Sequence, residues 1–336
     1  MRALALDFET RVVAEREVPE PFLQQDTEVL FRVLEIGICG TDRALAQFEL
    51  GSPPKGASHL VLGHEALGEV IATGTKVQSL QVGDLVAPMV RRSCSPPCVF
   101  CAKKRRDACI SGNYTERGIV GAHGYFTSLA VDHAADLVVI PAGLRAVAVL
   151  MEPLSVVEKA VHLALHAYED RPRKALILGA GPIGILLALV LLARGIEVIV
   201  HSLEPPSDIR ARILQDAGAS YLENDPPQAD LVFEAAGSAD AAFLAVRQLA
   251  PSGVAVILGA FNGEGAFPFR DLILGNRKVM GSVNATPMAM QDAVQDLQRI
   301  APRHLHQMIE RVPANQFTRT LFRAGAAPKF VHVLEE

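Results

Sequence analysis

The chain has 336 residues, with 32 Lys and Arg, 37 Asp and Glu, and a formal net charge of −5. Hydrophobic residues make up 50% of the sequence and charged residues 21%. This composition is too apolar for a disordered chain and lacks the basic excess of a nucleic-acid-binding protein. The length exceeds that of a usual single core, so we expect two domains.

The N-terminal segment MRALALDFET lacks the apolar core of a signal peptide. The most apolar segment, residues 185–195, is too short to cross a bilayer and follows a glycine-rich turn, which is typical of a buried helix. We therefore expect a cytoplasmic protein with neither a membrane nor a nucleic acid as partner. In a reducing cytosol, clustered cysteines indicate metal or redox chemistry rather than disulfides.

The hydrophobic pattern changes at about Glu152. Before it, short β-branched runs separated by Gly, Asp and Pro indicate a small antiparallel barrel with long loops. After it, the short apolar runs in KALILGAG, IEVIVHSL, DLVFEAAG and GVAVILGAF alternate with Ala- and Leu-rich helical patterns. Continuous apolar runs are typical of a parallel sheet that helices cover on both faces. The sequence thus predicts an α/β fold with a β-barrel followed by a doubly wound parallel sheet.

The strand KALIL runs directly into Gly179-Ala180-Gly181-Pro182-Ile183-Gly184, and an apolar helix follows. In this context the G-x-G-x-x-G pattern is typical of a dinucleotide site. Gly179 permits the tight turn, Gly181 lets the backbone approach a pyrophosphate, and Gly184 lets the helix pack closely on the strand. The helix N-terminus offers free N–H groups to the phosphates. A glycine-rich turn that binds no ligand is the alternative.

The residue that distinguishes NAD from NADP is expected about 20 residues after the glycines, at the end of the second strand. That strand ends in His201-Ser202-Leu203, so Ser202 takes the place of the usual acid, and Glu204 follows. A hydroxyl donates to a 2′-phosphate without repelling it, and Arg210 and Arg212 are near in sequence. Because no arginine directly follows Ser202, NAD remains open, but the pattern favours NADP or use of both.

Four of the five cysteines lie between residues 94 and 109. They are Cys94, Cys98, Cys101 and Cys109. Four thiolates at these spacings are typical of one tetrahedral zinc that has no open position and is therefore structural. A redox pair or an iron–sulfur cluster is the alternative.

Cys39 in GICGTD, His64 and Glu65 in LGHEALGEV, and Glu152 in EPLSVVEKA form a second candidate set. Each has an ordinary explanation by itself: a buried thiol, a satisfied core histidine, or an acid at a helix N-terminus. Together they supply a sulfur, an imidazole and one or two carboxylates. That is the composition of a catalytic zinc that keeps a position for water or substrate.

The motifs GICGTD, GHE, the four-cysteine segment, EPLS and GAGPIG, in this order, resemble the zinc-dependent medium-chain alcohol dehydrogenase superfamily over essentially the whole chain. The resemblance implies a GroES-like barrel, a Rossmann domain and a C-terminal tail that returns to the barrel. We expect the catalytic domain at residues 1–153 with its zinc lobe at 93–110, the NAD(P)-binding domain at 154–288, and the returning segment at 289–336. One catalytic and one structural zinc per chain are implied as well.

Within the superfamily, the segments DACISGNYTERGIVGAHGYF, NRKVMGSVNAT and EPLSVVEKA resemble the microbial glucose (aldose) 1-dehydrogenases. The reaction that this implies is hydride transfer from a carbinol carbon to NADP or NAD, which converts an aldose to a lactone. Glu116 would bind a sugar hydroxyl, Asn284 would contact nicotinamide and substrate, and Thr41 would carry the proton outward. Glu152, the third group on the zinc side, would also face the substrate. Further coenzyme contacts are implied for Pro182, Ile183, Ala260, Phe261 and Val283.

Two residues depart from the pattern of that branch. Val90 stands where many relatives have a sugar-binding Asn, and Val156 stands where an acid is expected. A polyol, secondary-alcohol or amino-alcohol dehydrogenase is therefore the alternative enzyme, and a non-catalytic NAD(P)-binding scaffold is the alternative outside enzymes. Rossmann sheets of this family often pair across subunits, so a homo-dimer or homo-tetramer is expected, with GVAVILGAF as a candidate edge strand.

Overall fold

The computed structural model describes residues 1–260, 264, 267, 269–322 and 327–334. The strands are β1 (Arg2–Asp7), β2 (Val12–Glu17), β3 (Glu28–Gly37), β4 (His59–Val61), β5 (Glu65–Thr73), β6 (Leu85–Pro88), β7 (Arg91–Arg92), β8 (Thr115–Arg117), β9 (Gly121–Ala122), β10 (Leu129–His133), β11 (Leu137–Ile140), β12 (Lys174–Leu178), β13 (Glu197–His201), β14 (Ser220–Leu222), β15 (Ala229–Glu234), β16 (Leu249–Ile257), β17 (Lys278–Gly281), β18 (Ile309–Pro313) and β19 (Lys329–Val333). The α-helices are α1 (Gly40–Ala46), α2 (Val99–Ala102), α3 (Met151–Ala167), α4 (Pro182–Ala193), α5 (Ile209–Ala217), α6 (Ala239–Arg247), α7 (Phe269–Leu274), α8 (Pro287–Arg299), α9 (Pro302–Met308) and α10 (Phe317–Phe322). Short 3₁₀ helices lie at Arg106–Ala108, Ala134–Asp136, Ala142–Leu144, Ala148–Leu150 and Ala314–Gln316.

The first half of the chain is built around the long strand β3. It belongs to a sheet with the order β11-β6-β5-β3-β19-β18, and β10 pairs with it as well. Alternate residues of β3, such as Val29, Phe31 and Val33, are buried because successive side chains of a strand point to opposite faces. Since β3 ends at Gly37 and α1 begins at Gly40, Cys39 lies at the N-cap of that helix.

The second sheet has the order β14-β13-β12-β15-β16-β17, and all of its neighbouring strands are parallel. In chain order this is 3-2-1-4-5-6, the arrangement of a Rossmann fold. The apolar run Ala175–Leu178 of β12 is buried throughout, as expected for a strand covered on both faces. The strand order reverses between β12 and β15, and the carboxyl ends of the strands at such a point are the usual place for a ligand.

The last strands of the chain join the first sheet. Strand β19 pairs with β18 in parallel and with β3 in antiparallel fashion, with Val331 opposite Gly37. Helix α8 packs instead against α3. The pairing of β19 with β3 places Lys329 close to the residues that follow β3. The predicted domain boundaries stay predictions.

The predicted fold class is confirmed, but the expectation that GVAVILGAF forms an edge strand is wrong. Strand β16, which contains most of that segment, pairs with β15 on one side and β17 on the other. The edge is formed by β17, a strand of four residues that the sequence analysis did not identify. Among the described residues, no helix combines the length and the apolar character that a membrane span needs.

Candidate active site and coenzyme site

Cys39 and His64 are in contact although they are 25 positions apart in the sequence. Cys39 Sγ accepts a hydrogen bond from the backbone N–H of Thr41 at 3.3 Å, and His64 Nε2 lies 3.1 Å from the same sulfur. Glu65 begins β5 and completes a group whose sulfur, nitrogen and oxygen atoms lie within 4.8 Å of one another. The structure thus brings three predicted site residues together, with the partly buried Thr41 beside them.

Asp42 supports this group from a fully buried position. Its carboxylate accepts a hydrogen bond from the Cys39 N–H at 2.9 Å and lies 3.3 Å from His64 Nδ1. Burial alone lowers the pKa of His64, but Asp42 and Cys39 outweigh burial and raise it well above its ordinary value. A carboxylate on one ring nitrogen is the usual way to orient a metal-binding histidine. This role was not predicted from the sequence, although Asp42 stands three residues after Cys39, the spacing of a capping box.

Lys329 forms an ion pair with Glu65, and both side chains are almost fully buried. Burial lowers the pKa of Lys329, but the Glu65 carboxylate raises it above the ordinary value. No pattern in the sequence indicates this pair, because the two residues meet only through the pairing of β19 with β3.

Glu152 lies in the first turn of α3, beside the Cys39–His64–Glu65 group but not within it. Burial and the neighbouring Glu65 carboxylate raise the pKa of Glu152 to about 7. Glu65 is therefore the carboxylate that the structure groups with the sulfur and imidazole. The assignment of either carboxylate as a metal ligand stays a prediction.

The donor set of Cys39, His64 and Glu65 fits the predicted catalytic zinc. Catalytic zinc sites use three protein ligands of these kinds and keep a fourth position for water or substrate. The buried Asp42 and Lys329 add one negative and one positive side chain next to the ligands. The residues present are therefore compatible with a zinc ion on chemical grounds.

The four clustered cysteines also converge, with all their sulfurs within 4.8 Å of one another. Cys94 Sγ accepts a hydrogen bond from the Cys98 N–H at 3.1 Å, and the sulfurs of Cys98 and Cys109 are 3.9 Å apart. That separation is far longer than a disulfide bond. The backbone N–H groups of Cys101 and Ile110 lower the pKa of Cys98 to about 6, which favours the thiolate that binds metals. The set fits the predicted structural zinc.

Glu116 and Asn284 meet although they are 168 positions apart in the sequence. The Asn284 side chain donates to Glu116 Oε1 at 2.7 Å, and Arg91 Nε donates to the same oxygen at 2.9 Å. A small cavity is lined by Val90, Arg91, Glu152 and Asn284, among others. Three of the predicted substrate residues, Glu116, Glu152 and Asn284, are thus neighbours. Arg91, which was not predicted from the sequence, also belongs to the site.

The glycine-rich loop has the backbone that its sequence predicts. Gly179 has φ +106°, and a Cβ atom there would lie 2.9 Å from the backbone of Ala236. A Cβ atom on Gly184 would lie 2.0 Å from the Gly179 carbonyl oxygen, so only glycine allows α4 to pack this closely on β12. Gly181 has open space around it and caps α4, with Pro182 and Ile183 in its first turn. The loop therefore forms a cradle that suits a pyrophosphate.

Ser202 lies at the end of β13 and contacts the glycine-rich loop. Its Oγ accepts a hydrogen bond from the Ala180 N–H at 3.1 Å and donates to the carboxylate of Glu204. Arg210 Nη1 donates to Glu204 Oε1 at 2.6 Å, and the same guanidinium pairs with Asp208. Glu204 is two positions beyond the place expected for the acid, but its side chain folds back onto the end of β13. The spacing in the sequence did not indicate this contact.

Two of the remaining predicted coenzyme residues lie just beyond the carboxyl ends of strands. Ala260 is exposed after β16, Val283 is 57% exposed after β17, and Phe261 lies outside the described residues. The fully buried Glu234 was missed by the sequence analysis. Its carboxylate accepts hydrogen bonds from the N–H groups of Ala236, Gly237 and Gly259, and so connects the ends of β15 and β16.

Comparison with known proteins agrees with this geometry. Residues 25–142 match the family model of the alcohol dehydrogenase GroES-like domain, and residues 145–327 match that of the glucose dehydrogenase C-terminus. The glucose 1-dehydrogenase of Thermoproteus tenax is 41% identical over 285 residues, which cover 80% of each chain. The chain belongs to the medium-chain alcohol dehydrogenase superfamily, in its glucose dehydrogenase branch. It is therefore an oxidoreductase, and the predicted family is confirmed.

Other glucose dehydrogenases are similar to this chain in sequence and in structure. The glucose 1-dehydrogenase of Methanocella arvoryzae is 36% identical over 306 residues, with 84% of this chain and 85% of the relative covered. The structure of Haloferax mediterranei glucose dehydrogenase in complex with NADP, Zn and gluconolactone is 28% identical. It superposes with a TM-score of 0.91 over 100% of both chains.

Proposed function

We propose that this protein is a zinc-dependent, NAD(P)-linked sugar dehydrogenase that oxidises an aldose such as glucose to its lactone. The observation that carries the proposal is the convergence of two groups in one region. The Cys39–His64–Glu65 group lies beside Glu152, and Glu152 shares a cavity with Asn284, the partner of Glu116. The family membership and the NADP, Zn and gluconolactone in the Haloferax complex support the same assignment.

Cys39, His64 and Glu65 would hold the catalytic zinc, and Glu152 would be the alternative carboxylate ligand in place of Glu65. The zinc supplies Lewis acidity toward the substrate oxygen. Asp42 orients the His64 ring through Nδ1. Thr41 follows Cys39 closely and is partly exposed, so its hydroxyl is placed to pass the substrate proton toward solvent.

Glu116 and Asn284 would orient the sugar. Glu116 Oε1 already accepts hydrogen bonds from Asn284 and Arg91, which fixes the carboxylate in the buried position where a hydroxyl would donate to it. Removing one partner of such a buried polar contact typically costs about 1–3 kcal/mol. The glycine-rich loop and the helix α4 would hold the pyrophosphate, and Ser202 with Glu204 would face the adenosine ribose.

The structural zinc is proposed for Cys94, Cys98, Cys101 and Cys109, whose four sulfurs lie close enough together to fill a tetrahedral site. A homo-dimer or homo-tetramer in the cytoplasm is proposed from the family resemblance. Size-exclusion chromatography with light scattering measures the assembly directly, and a monomer would refute that part of the proposal.

The deciding experiment is a substrate panel of aldoses, polyols and simple alcohols, each with NAD and with NADP. Reduced nicotinamide absorbance is the readout, and zinc content is measured on the same preparation. We expect the highest kcat/KM for an aldose and a lactone as the product. The buried apolar side chain of Val90 in the cavity favours a polyol or secondary alcohol as the second candidate. A polyol that outperforms every aldose would replace the first proposal by the second.

A further inference from the structure

Lys159, on α3, contacts both the four-cysteine lobe and the segment after β17 that contains Asn284. Its Nζ lies 3.0 Å from the Asp107 carboxylate in the four-cysteine lobe. The same ammonium group donates a hydrogen bond to the Val283 carbonyl oxygen at 2.6 Å. The Lys159 and Asp107 side chains are only 10% and 2% exposed. One buried cation thus connects the lobe to the segment that follows β17.

The carbonyl that Lys159 binds directly precedes Asn284. Asn284 has φ +59°, a left-handed conformation that asparagine tolerates better than most residues. Its side chain donates to Glu116 in this conformation. Holding the Val283 carbonyl therefore fixes the backbone from which Asn284 reaches Glu116.

On the lobe side, Asp107 is held by more than Lys159. Its carboxylate forms a bidentate pair with Arg105, at 3.0 and 3.1 Å, and its carbonyl oxygen accepts a hydrogen bond from Arg91 at 3.2 Å. Arg91 in turn donates to Glu116. The contacts form a closed ring that runs from Asp107 through Lys159, residues 283–284, Glu116 and Arg91 back to Asp107.

We propose that Lys159 is a positioning residue through which the four-cysteine lobe holds residues 283–284 for the dinucleotide. The inference rests on the proposed function and on the contact of Asn284 with the nicotinamide that the family resemblance implies. In this proposal the lobe contributes to coenzyme binding as well as to stability. A metal that fixes the cysteines would also fix Asp107, and Lys159, which pairs with Asp107, would hold residues 283–284 in place. Lys159 itself contacts neither the zinc ligands nor the glycine-rich loop in the hydrogen bonds and ion pairs described here.

The test measures dinucleotide binding without turnover, by fluorescence titration with NADH and with NADPH. Lys159→Met keeps the aliphatic stem and removes the ammonium, while Arg105 still neutralises Asp107. We expect the Kd of the preferred dinucleotide to rise about tenfold, since a charge-assisted hydrogen bond to a backbone carbonyl is lost. Lys159→Arg is expected to restore most of the affinity. At saturating dinucleotide, kcat should change much less than Kd, and the zinc content should not change.

Lys278→Met is the matched control. Lys278 also donates to a backbone carbonyl, that of Ala167 at 2.9 Å, and pairs with a carboxylate, that of Glu169 at 2.7 Å, but neither partner belongs to the site. The Kd of the Lys278→Met variant for the dinucleotide should equal that of the wild type. Asp107→Asn, made alone and with Lys159→Met, forms a double-mutant cycle. If the lobe acts through Lys159, Asp107→Asn weakens binding in the wild-type background but not in the Lys159→Met background.

The inference is overturned if Lys159→Met binds the dinucleotide as tightly as Lys278→Met does, or if the two substitutions of the cycle act independently. A loss of affinity that Lys159→Arg does not restore also contradicts it, because that result assigns Lys159 a packing role only. A wild-type chain that binds neither NADH nor NADPH refutes the proposed function, and this is decided before any variant is compared.

Discussion

Lys329, in the last strand of the chain, forms a buried ion pair with Glu65 of the Cys39–His64–Glu65 group. The negative charge of Glu65, a candidate metal ligand, is thus neutralised by a lysine from near the C-terminal end of the sequence. Because β19 pairs with β3 next to Gly37, the C-terminal strand takes part in shaping the site as well as completing the sheet.

In the metal-free protein, Lys329→Met should be strongly destabilising, because it leaves the Glu65 carboxylate buried without its cation. Removing one partner of a buried ion pair typically costs about 3–5 kcal/mol. The free energy of unfolding, measured by denaturant titration, should fall by that order. The double variant Lys329→Met with Glu65→Gln should recover a large part of the loss, since neither of these two positions then carries an unpaired buried charge. Equal stabilities of the single and double variants would contradict the role given to this pair.

Cys39→Ser and Cys101→Ser should have different consequences, because the two cysteines belong to different groups. Cys39→Ser should abolish turnover and remove one zinc while the thermal transition persists. Cys101→Ser should lower Tm and remove the other zinc, with the active-site metal retained. Activity, zinc content and Tm are measured on the same preparations. Full activity of Cys39→Ser would end the catalytic-zinc proposal.

Local motifs made much of the site predictable. The G-x-G-x-x-G loop, the four cysteines and Cys39 at the turn before α1 could each be recognised because their chemistry depends on neighbours in sequence. The alternation of apolar strands with helical patterns likewise predicted the parallel sheet, whose strands are buried on both faces.

Contacts between distant segments could not be predicted in the same way. Lys329 meets Glu65 through strand pairing, Lys159 meets Asp107 by packing, and Arg91 meets Glu116 through the pairing of β7 with β8. None of these contacts has a periodic or spaced signal in the sequence. The wrong prediction of the sheet edge has a similar cause. The edge strand β17 has only four residues, and a long connection separates it from its partner β16.

Glu204 should weaken the use of NADP. Its carboxylate accepts a hydrogen bond from Ser202 at the strand end, where a 2′-phosphate would meet a negative charge, and it also occupies Arg210. Glu204→Gln should raise the ratio of kcat/KM for NADP to that for NAD about tenfold, equivalent to about 1.4 kcal/mol. Glu223→Gln, at an exposed acid in the next connection, is the control. An unchanged ratio in Glu204→Gln would exclude Glu204 from coenzyme selection.

Val90 should limit the affinity for sugars. It lines the cavity beside Glu152 and Asn284 and presents no hydrogen-bonding group to a hydroxyl. Val90→Asn should raise kcat/KM for glucose several-fold, since one added hydrogen bond is worth about 0.5–1.5 kcal/mol. Val90→Leu is the control, because it changes size without adding a polar group. A gain that Val90→Leu shares would point to cavity shape rather than to hydrogen bonding.

Glu158 should make stability depend on pH near neutrality. It is fully buried on α3, where Arg194 donates to it at 2.7 Å and also to Asp296 at 3.1 Å. His162 lies 3.5 Å from Glu158 and 3.0 Å from Asp292 on α8. Burial and the Asp296 carboxylate raise the pKa of Glu158 to about 8, against the opposing effect of Arg194.

The sign of the effect follows from the protons bound in each state. An unfolded glutamate has a pKa of about 4.3, so the folded chain binds more protons than the unfolded chain up to the raised pKa of about 8. Stability from this group is therefore complete below the unfolded pKa and is lost as the pH rises through the folded one. Tm measured from about pH 6 to about pH 9 should fall less in Glu158→Gln than in the wild type. Glu169→Gln is the control, because the ion pair with Lys278 lowers the pKa of that exposed acid and keeps it ionised throughout this range. Parallel Tm profiles of Glu158→Gln and the wild type would show that Glu158 does not exchange its proton in this range.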